Sequence, residues 1–114
     1  MRRISTHVLD TARGRPAASL VVRLERADPS GAWRQLSSLA TDQDGRCAEL
    51  LPDGEPLREG DYRLAFETAD YFAAQGGRGL YPRVEITFHV ARGESHFHLP
   101  LLLAPNGYTT YRGS

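Results

Sequence analysis

Short segments in which apolar and polar residues alternate recur along this sequence, and they constrain its fold more than any other feature. In residues 19–26, for example, Leu20, Val22 and Leu24 fall on one side and charged residues fall on the other. Because successive side chains of a β-strand point to opposite faces, such a segment is typical of a strand with one buried face. The sequence therefore predicts a fold built mainly from β-strands.

Turn signals rich in glycine, proline and aspartate separate these segments, as is usual for sheets of short antiparallel strands. The pattern predicts an all-β fold: an antiparallel β-sandwich of seven to eight strands with one short helix, in a single domain spanning residues 1–114. Besides residues 19–26 and the C-terminal region, the predicted strands are residues 4–10, 33–40, 61–67 and 83–90.

Residues 68–75 are the one helix candidate in the sequence. Thr68 is a suitable N-cap, because its hydroxyl can accept a hydrogen bond from a backbone N–H of the first turn. Gly76 and Gly77 are expected to end the helix, since glycine is favoured just past a helix C-terminus.

The charge and cysteine content exclude several functional classes. Fourteen basic residues balance fourteen acidic ones, so no basic footprint for nucleic acid is present. The apolar runs are too short for a membrane span, and the N-terminal residues do not resemble a secretory signal. Cys47 has no second cysteine with which to form an internal disulfide. We therefore expect a cytoplasmic protein with neither nucleic-acid nor membrane partners.

His96 and His98 alternate with Phe97 and Leu99, which places both histidines on one face of a predicted strand. Two histidines at this spacing are compatible with a zinc site. A third ligand is not evident nearby, because Cys47 would have to come from elsewhere in the chain. We therefore predict neither a metal site nor a cofactor.

A hairpin is predicted to follow the histidine-bearing strand. Pro100 interrupts that strand, residues 101–103 are apolar, and residues 105–107 form a strong turn signal. Residues 108–111 are strand formers. The turn should bring the C-terminal residues back alongside the histidines.

Three separate motifs resemble the transthyretin-related hydroxyisourate hydrolase family. The first comprises residues 5–11 with the Gly-Arg-Pro of residues 14–16, and the second comprises the loop of residues 41–46. The third comprises residues 98–103 together with residues 108–114, which end in Tyr-Arg-Gly-Ser. The resemblance covers nearly the whole chain, and it implies the transthyretin-like form of the β-sandwich.

The resemblance implies an enzyme that hydrolyses 5-hydroxyisourate, a product of urate oxidation, by opening its ring at a C–N bond without a metal. It implies that His7, Arg46 and His98 are the catalytic group. It also implies that His7, Arg46, Tyr111 and Ser114 bind the substrate. Without the resemblance, His7 would be interpreted as a surface histidine and Arg46 as a solvated turn arginine.

These residue types suit such a reaction. A histidine that titrates near neutral pH can accept a proton from water without a metal. An arginine offers a planar set of N–H donors to ring carbonyls and to an oxyanion formed by attack of water. The sequence does not distinguish which histidine is the base and which is its orienting partner, so both assignments stay open.

The resemblance also implies a homotetramer, a dimer of dimers with active sites at the dimer–dimer interface. Two other classes of function compete with the enzyme: a non-catalytic, transthyretin-like protein that binds a small ligand, and a structural β-sandwich domain. The Tyr-Arg-Gly-Ser of residues 111–114 favours the enzyme over the first class. The polar groups in three motifs that are far apart in the sequence favour the enzyme over a structural domain.

Overall fold

The computed structural model of the protein describes residues 2–114. Two β-sheets and one short helix make up the regular structure of these residues. The elements, in chain order, are β1 (Arg3–Asp10), β2 (Arg15–Pro16), β3 (Val21–Ala27), β4 (Trp33–Ala40), β5 (Arg46–Cys47), β6 (Gly60–Phe66), α1 (Thr68–Ala74), β7 (Val84–Val90), β8 (His96–His98), β9 (Leu101–Ala104) and β10 (Gly107–Thr110).

The first sheet has four strands in the order β4-β3-β6-β7, and each neighbouring pair is antiparallel. Val22 of β3 lies opposite Phe66 of β6, and Leu24 lies opposite Leu64. All four side chains are fully buried. The alternation in residues 19–26 thus predicted the buried face of β3 correctly, because a period of two places every second side chain on the core side.

The second sheet has six strands and is organised around β1, with which β2, β5, β8 and β9 all pair. Strands β2 and β5 run antiparallel to β1, whereas β8 and β9 run parallel to it. The predicted two-layer sandwich is confirmed, and the parallel pairs are the departure from a purely antiparallel arrangement. They arise because the chain reaches β8 from β7 of the other sheet, so no hairpin fixes its direction relative to β1.

The helix α1 ends as predicted but begins differently. The N–H of Gly76, which has a φ of 81°, donates to the carbonyl of Ala73. The predicted cap at Thr68 is wrong, since Glu67 occupies the N-cap position without a side-chain hydrogen bond. The hydroxyl of Thr68 instead donates to the carbonyl of Tyr81 at 3.3 Å.

One buried apolar cluster lies between the two sheets and contains residues from both. Its largest fully buried side chains include Ile4 of β1, Tyr62 of β6 and Leu101 of β9. A shared core of this kind supports the single-domain interpretation, which stays a prediction. In residues 2–114 no helix is long and apolar enough to cross a membrane.

Candidate active site

Strand β1 brings together groups from the two ends of the chain and from its middle. Its neighbour β8 places His98 opposite Ser5, and its other neighbour β5 places Arg46 opposite His7. Because Ile4 is in the core, the alternating residues Ser5 and His7 lie on the other face of β1. Two predicted catalytic side chains therefore flank the strand that carries the third.

A cleft of about 200 Å³ opens over this part of the sheet. Of the predicted site residues, Arg46, His98 and Ser114 line the cleft. The cleft lining within one chain does not include His7 or Tyr111, and 55 % of the Tyr111 surface is exposed. The other lining residues are Arg3, Ser5, Thr6, Ala48 and His96.

The turn before β5 fixes the position of Arg46. One carboxylate oxygen of Asp42 accepts hydrogen bonds from the backbone N–H groups of Asp44 and Arg46, both at 2.9 Å. Gly45 has a φ of 78°, and its carbonyl accepts the N–H of Val8 at 2.7 Å. A Cβ at Gly45 would lie 2.3 Å from the Val8 carbonyl oxygen. Glycine thus permits the close approach that places Arg46 beside His7.

We expect Gly45→Ala to destabilise the protein more than a glycine replacement at a similar backbone angle. Gly14→Ala is the matched control, because Gly14 has a φ of 69° and no atom lies within 4 Å of its added Cβ. The control should cost about 1 kcal/mol through its backbone conformation alone. Gly45→Ala should cost roughly 2 kcal/mol more, since the hydrogen bond between β1 and the turn must lengthen. Urea unfolding of the two variants measures the difference, and equal losses would contradict this account.

The ring of His98 is held on two sides. Its Nδ1 atom lies 2.8 Å from the Ser5 hydroxyl oxygen. On the other side, a Cβ at Gly113 would lie 2.8 Å from the ring Cδ2 atom, so only glycine fits there. Burial of the ring, followed by the positive charge of Arg46, lowers the pKa of His98 below its ordinary value. His98 is therefore largely neutral at pH 7.

Smaller contributions in the same direction come from the other positively charged or titratable groups facing the ring, which are His7, His96 and Arg3. Every one of these groups disfavours a proton on His98, because like charges repel. The cleft thus presents a neutral imidazole and a permanently charged guanidinium side by side.

The predicted C-terminal hairpin is confirmed. Strand β10 pairs antiparallel with β9, and the chain beyond it continues to β8, where the N–H of Gly113 donates to the His98 carbonyl at 2.7 Å. Gly113 lies in close contact with the His98 ring of the same chain.

Arg112 has its partners within the same chain. Its guanidinium donates to the Glu94 carboxylate at 2.9 Å and to the His96 carbonyl at 3.0 Å. It also lies 4.4 Å from the centre of the Phe97 ring. These contacts fix the C-terminal segment against β8 within one chain.

Three lining residues on β1 were not predicted as site residues, and these are Arg3, Ser5 and Thr6. Arg3 and Ser5 precede His7 at intervals of two, so the same alternation would have placed them on its face. The guanidinium of Arg3 is anchored through Nε to the Ala48 carbonyl at 3.0 Å. Within residues 2–114, no three His, Cys, Asp or Glu side chains are grouped so that they could hold a metal ion.

Residues 4–113 match the HIUase/Transthyretin family. This chain is a member of that family. Among the curated relatives in the HIUase/Transthyretin family, 5-hydroxyisourate hydrolase from Mus musculus is 45 % identical over 112 residues, which are 97 % of this chain and 94 % of the relative. The 5-hydroxyisourate hydrolase from Mesorhizobium japonicum is 47 % identical over 116 residues, with 98 % and 92 % covered.

Solved structures of family members have the same fold. The 5-hydroxyisourate hydrolase of Klebsiella pneumoniae matches with a TM-score of 0.86 and 41 % identity, covering 100 % of both chains. Sea bream transthyretin, solved in complex with thyroxine, matches with a TM-score of 0.89 but only 30 % identity, covering 96 % of this chain and 93 % of that chain. The backbone therefore does not separate the two kinds of family member, whereas the sequence identity is higher to the enzymes.

Proposed function

We propose that this protein hydrolyses 5-hydroxyisourate to 2-oxo-4-hydroxy-4-carboxy-5-ureidoimidazoline in urate degradation. The observation that carries the proposal is the pairing across β1, with His98 opposite Ser5 and Arg46 opposite His7. Relatives named as 5-hydroxyisourate hydrolases, 45 % and 47 % identical over nearly the whole chain, support the same substrate.

In the proposed mechanism one neutral histidine accepts a proton from water as the water oxygen bonds to a ring carbonyl carbon. The guanidinium of Arg46 donates hydrogen bonds to the oxyanion that forms. The C–N bond then breaks as the ring nitrogen takes up the proton from the histidine, and the carboxylic acid that forms ionises by releasing the second proton of the water to solvent. His7, Arg46 and His98 are the proposed catalytic group, and Tyr111 and Ser114 bind the substrate together with His7 and Arg46.

We further propose that the active protein is a homotetramer, a dimer of dimers, in which a second subunit completes the cleft. The exposure of Tyr111 in a single chain supports this, since a substrate-binding tyrosine must be enclosed by further protein. Other exposed apolar side chains supply surface for such contacts, and these are Leu80, Tyr81 and Tyr108. The cytoplasm is the proposed location, in keeping with a free Cys47.

The competing function is non-catalytic binding of a small ligand, and the similarity to a transthyretin solved with thyroxine favours it as the second candidate. One assay separates the two functions. Freshly generated 5-hydroxyisourate decays spontaneously, and its ultraviolet absorbance can be followed with and without the protein. We expect faster decay in proportion to protein concentration. An unchanged decay rate would favour the binding protein.

Activity is expected to survive exhaustive treatment with a chelator. The chemistry proposed above needs only a histidine and an arginine, and no group of three metal-binding side chains occurs within residues 2–114. The measurement compares kcat/KM before and after EDTA dialysis, with added zinc as the control. Loss of activity that zinc restores would assign His96 and His98 as metal ligands.

A further inference from the structure

The contact between Ser5 and His98 bears on the question of which histidine is the base. The two residues lie opposite each other on β1 and β8, and the Leu99 N–H donates to the Ser5 carbonyl at 3.0 Å. The Ser5 hydroxyl oxygen lies 2.8 Å from Nδ1 of His98. Only 5 % of the Ser5 surface is exposed. A backbone pair thus holds a nearly buried hydroxyl against one ring nitrogen.

The orientation of the ring leaves one nitrogen for the cleft. Ser5 occupies the Nδ1 side, and the Gly113 backbone lies against the Cδ2 atom. Neither contact covers Nε2, and His98 lines the cleft. Any hydrogen bond from this ring to a substrate therefore involves Nε2.

The hydrogen-bonding capacity of the two groups determines the direction of the contact. A neutral imidazole has one nitrogen that donates and one that accepts. The hydroxyl of Ser5 has one proton, and within residues 2–114 its hydrogen-bond partner is Nδ1 of His98. A nearly buried hydroxyl that only accepted would leave its own proton without a protein partner, which costs about 1–3 kcal/mol. Donation from Ser5 to Nδ1 satisfies both groups.

We propose that Ser5 is a positioning residue that donates to Nδ1 of His98 and thereby holds this histidine as the neutral tautomer with its proton on Nε2. His98 then donates a hydrogen bond from Nε2 to a substrate oxygen and does not accept the proton of water. His7 is left as the base, taking the proton from water and returning it to the ring nitrogen when the C–N bond breaks. The roles given to His98 and His7 rest on the proposed hydrolysis of 5-hydroxyisourate, whereas the tautomer of His98 does not.

The lowered pKa of His98 supports the geometry, because a group that acts as a neutral donor must not be protonated at working pH. The charged and titratable groups that face its ring, namely Arg46, His7, His96 and Arg3, all act in that direction.

Nitrogen NMR of the full chain without substrate tests the tautomer directly. Long-range proton–nitrogen correlation at pH 7 distinguishes a protonated ring nitrogen from an unprotonated one, and His98→Gln assigns the signals. In the wild type we expect the proton on Nε2 and an unprotonated Nδ1. In Ser5→Ala we expect a mixture of tautomers. A proton on Nδ1 of the wild-type ring, or an unchanged ring in Ser5→Ala, would overturn the proposal.

Kinetics test the consequence for catalysis. Ser5→Ala should lower kcat roughly 10- to 100-fold, which is the scale of losing the group that orients a functional histidine, with little change in KM. Ser5→Thr keeps the hydroxyl and should restore most of kcat. The matched control is Ser37→Ala, because Ser37 lies on β4 of the four-stranded sheet and its hydroxyl donates to the Leu50 carbonyl. It should alter neither kcat nor the ring signals.

The kinetic and NMR measurements test the proposed hydrolysis and the proposed tautomer of His98 separately. If 5-hydroxyisourate is not hydrolysed but Nε2 carries the proton, the proposed function fails and the assignment of the tautomer stands. If hydrolysis is observed and Nδ1 carries the proton, the function stands and the role of Ser5 is refuted.

Discussion

Replacing His98 with alanine is expected to lower kcat/KM for 5-hydroxyisourate by about 100-fold or more. The ring supplies the neutral imidazole that contacts the substrate, and no neighbouring side chain can replace it from the same position. A loss of this size is typical when a group that transfers a proton or donates to a developing oxyanion is removed. Steady-state assays at pH 7, with circular dichroism to verify folding, give the result.

His7→Ala and Arg46→Ala should lower kcat/KM by similar factors of about 100 or more, because one is a proposed base and the other the proposed oxyanion donor. His89→Ala is the matched control. His89 lies on β7 of the other sheet, where its ring contacts the Asp61 carboxylate at 2.8 Å and is exposed. It should retain the kcat/KM of the wild type. Full turnover by a folded variant at position 7, 46 or 98 would remove that residue from the mechanism.

Deleting residues 111–114 is expected to abolish hydrolysis while the truncated chain keeps most of its folding stability. The deletion removes Ser114 from the cleft wall, and it removes the Gly113 backbone that packs against the His98 ring and bonds to its carbonyl. The core lacks these four residues, and β10 already ends at Thr110. We therefore expect a melting temperature close to that of the full chain, together with loss of detectable turnover.

The control for this deletion is Arg112→Gln, which removes the ion pair with Glu94 but keeps Gly113 and Ser114 in the chain. A partly exposed ion pair contributes little to stability, so this variant should keep most of its activity. Analytical ultracentrifugation of both variants would show whether the deletion also weakens a tetramer. Near-full activity of the truncated chain would place the active site elsewhere.

Strands whose bounds depend only on the local alternation of apolar and polar residues were predicted well. Strand β4 spans Trp33–Ala40, as its sequence predicted. Strand β3 begins at Val21 and not at residue 19, because Ser19 adopts a φ of 63° and the N–H of Leu20 donates to the Thr41 hydroxyl. A side-chain hydrogen bond to a residue 21 positions away is not visible in local alternation.

The candidate site was likewise predicted only in part from the sequence. The resemblance assigned His98 and Arg46 to one site, and the structure places both side chains in the lining of one cleft. The parallel pairing of β8 with β1, and with it the contact of Ser5 with His98, could not be predicted. It depends on how two sheets pack, which no local segment of the sequence encodes.

The position of β1 has a consequence for how the protein acquires its activity. The contact between Ser5 and His98 joins residues 93 positions apart, and the pairing of Thr6 with the Leu99 carbonyl spans the same separation. Closing loops of this length makes folding slow compared with chains whose contacts are local. During synthesis β1 cannot pair with β8 until residues 96–98 have left the ribosome. The wall of the cleft that His98 supplies can therefore form only after the residues of β8 have been made.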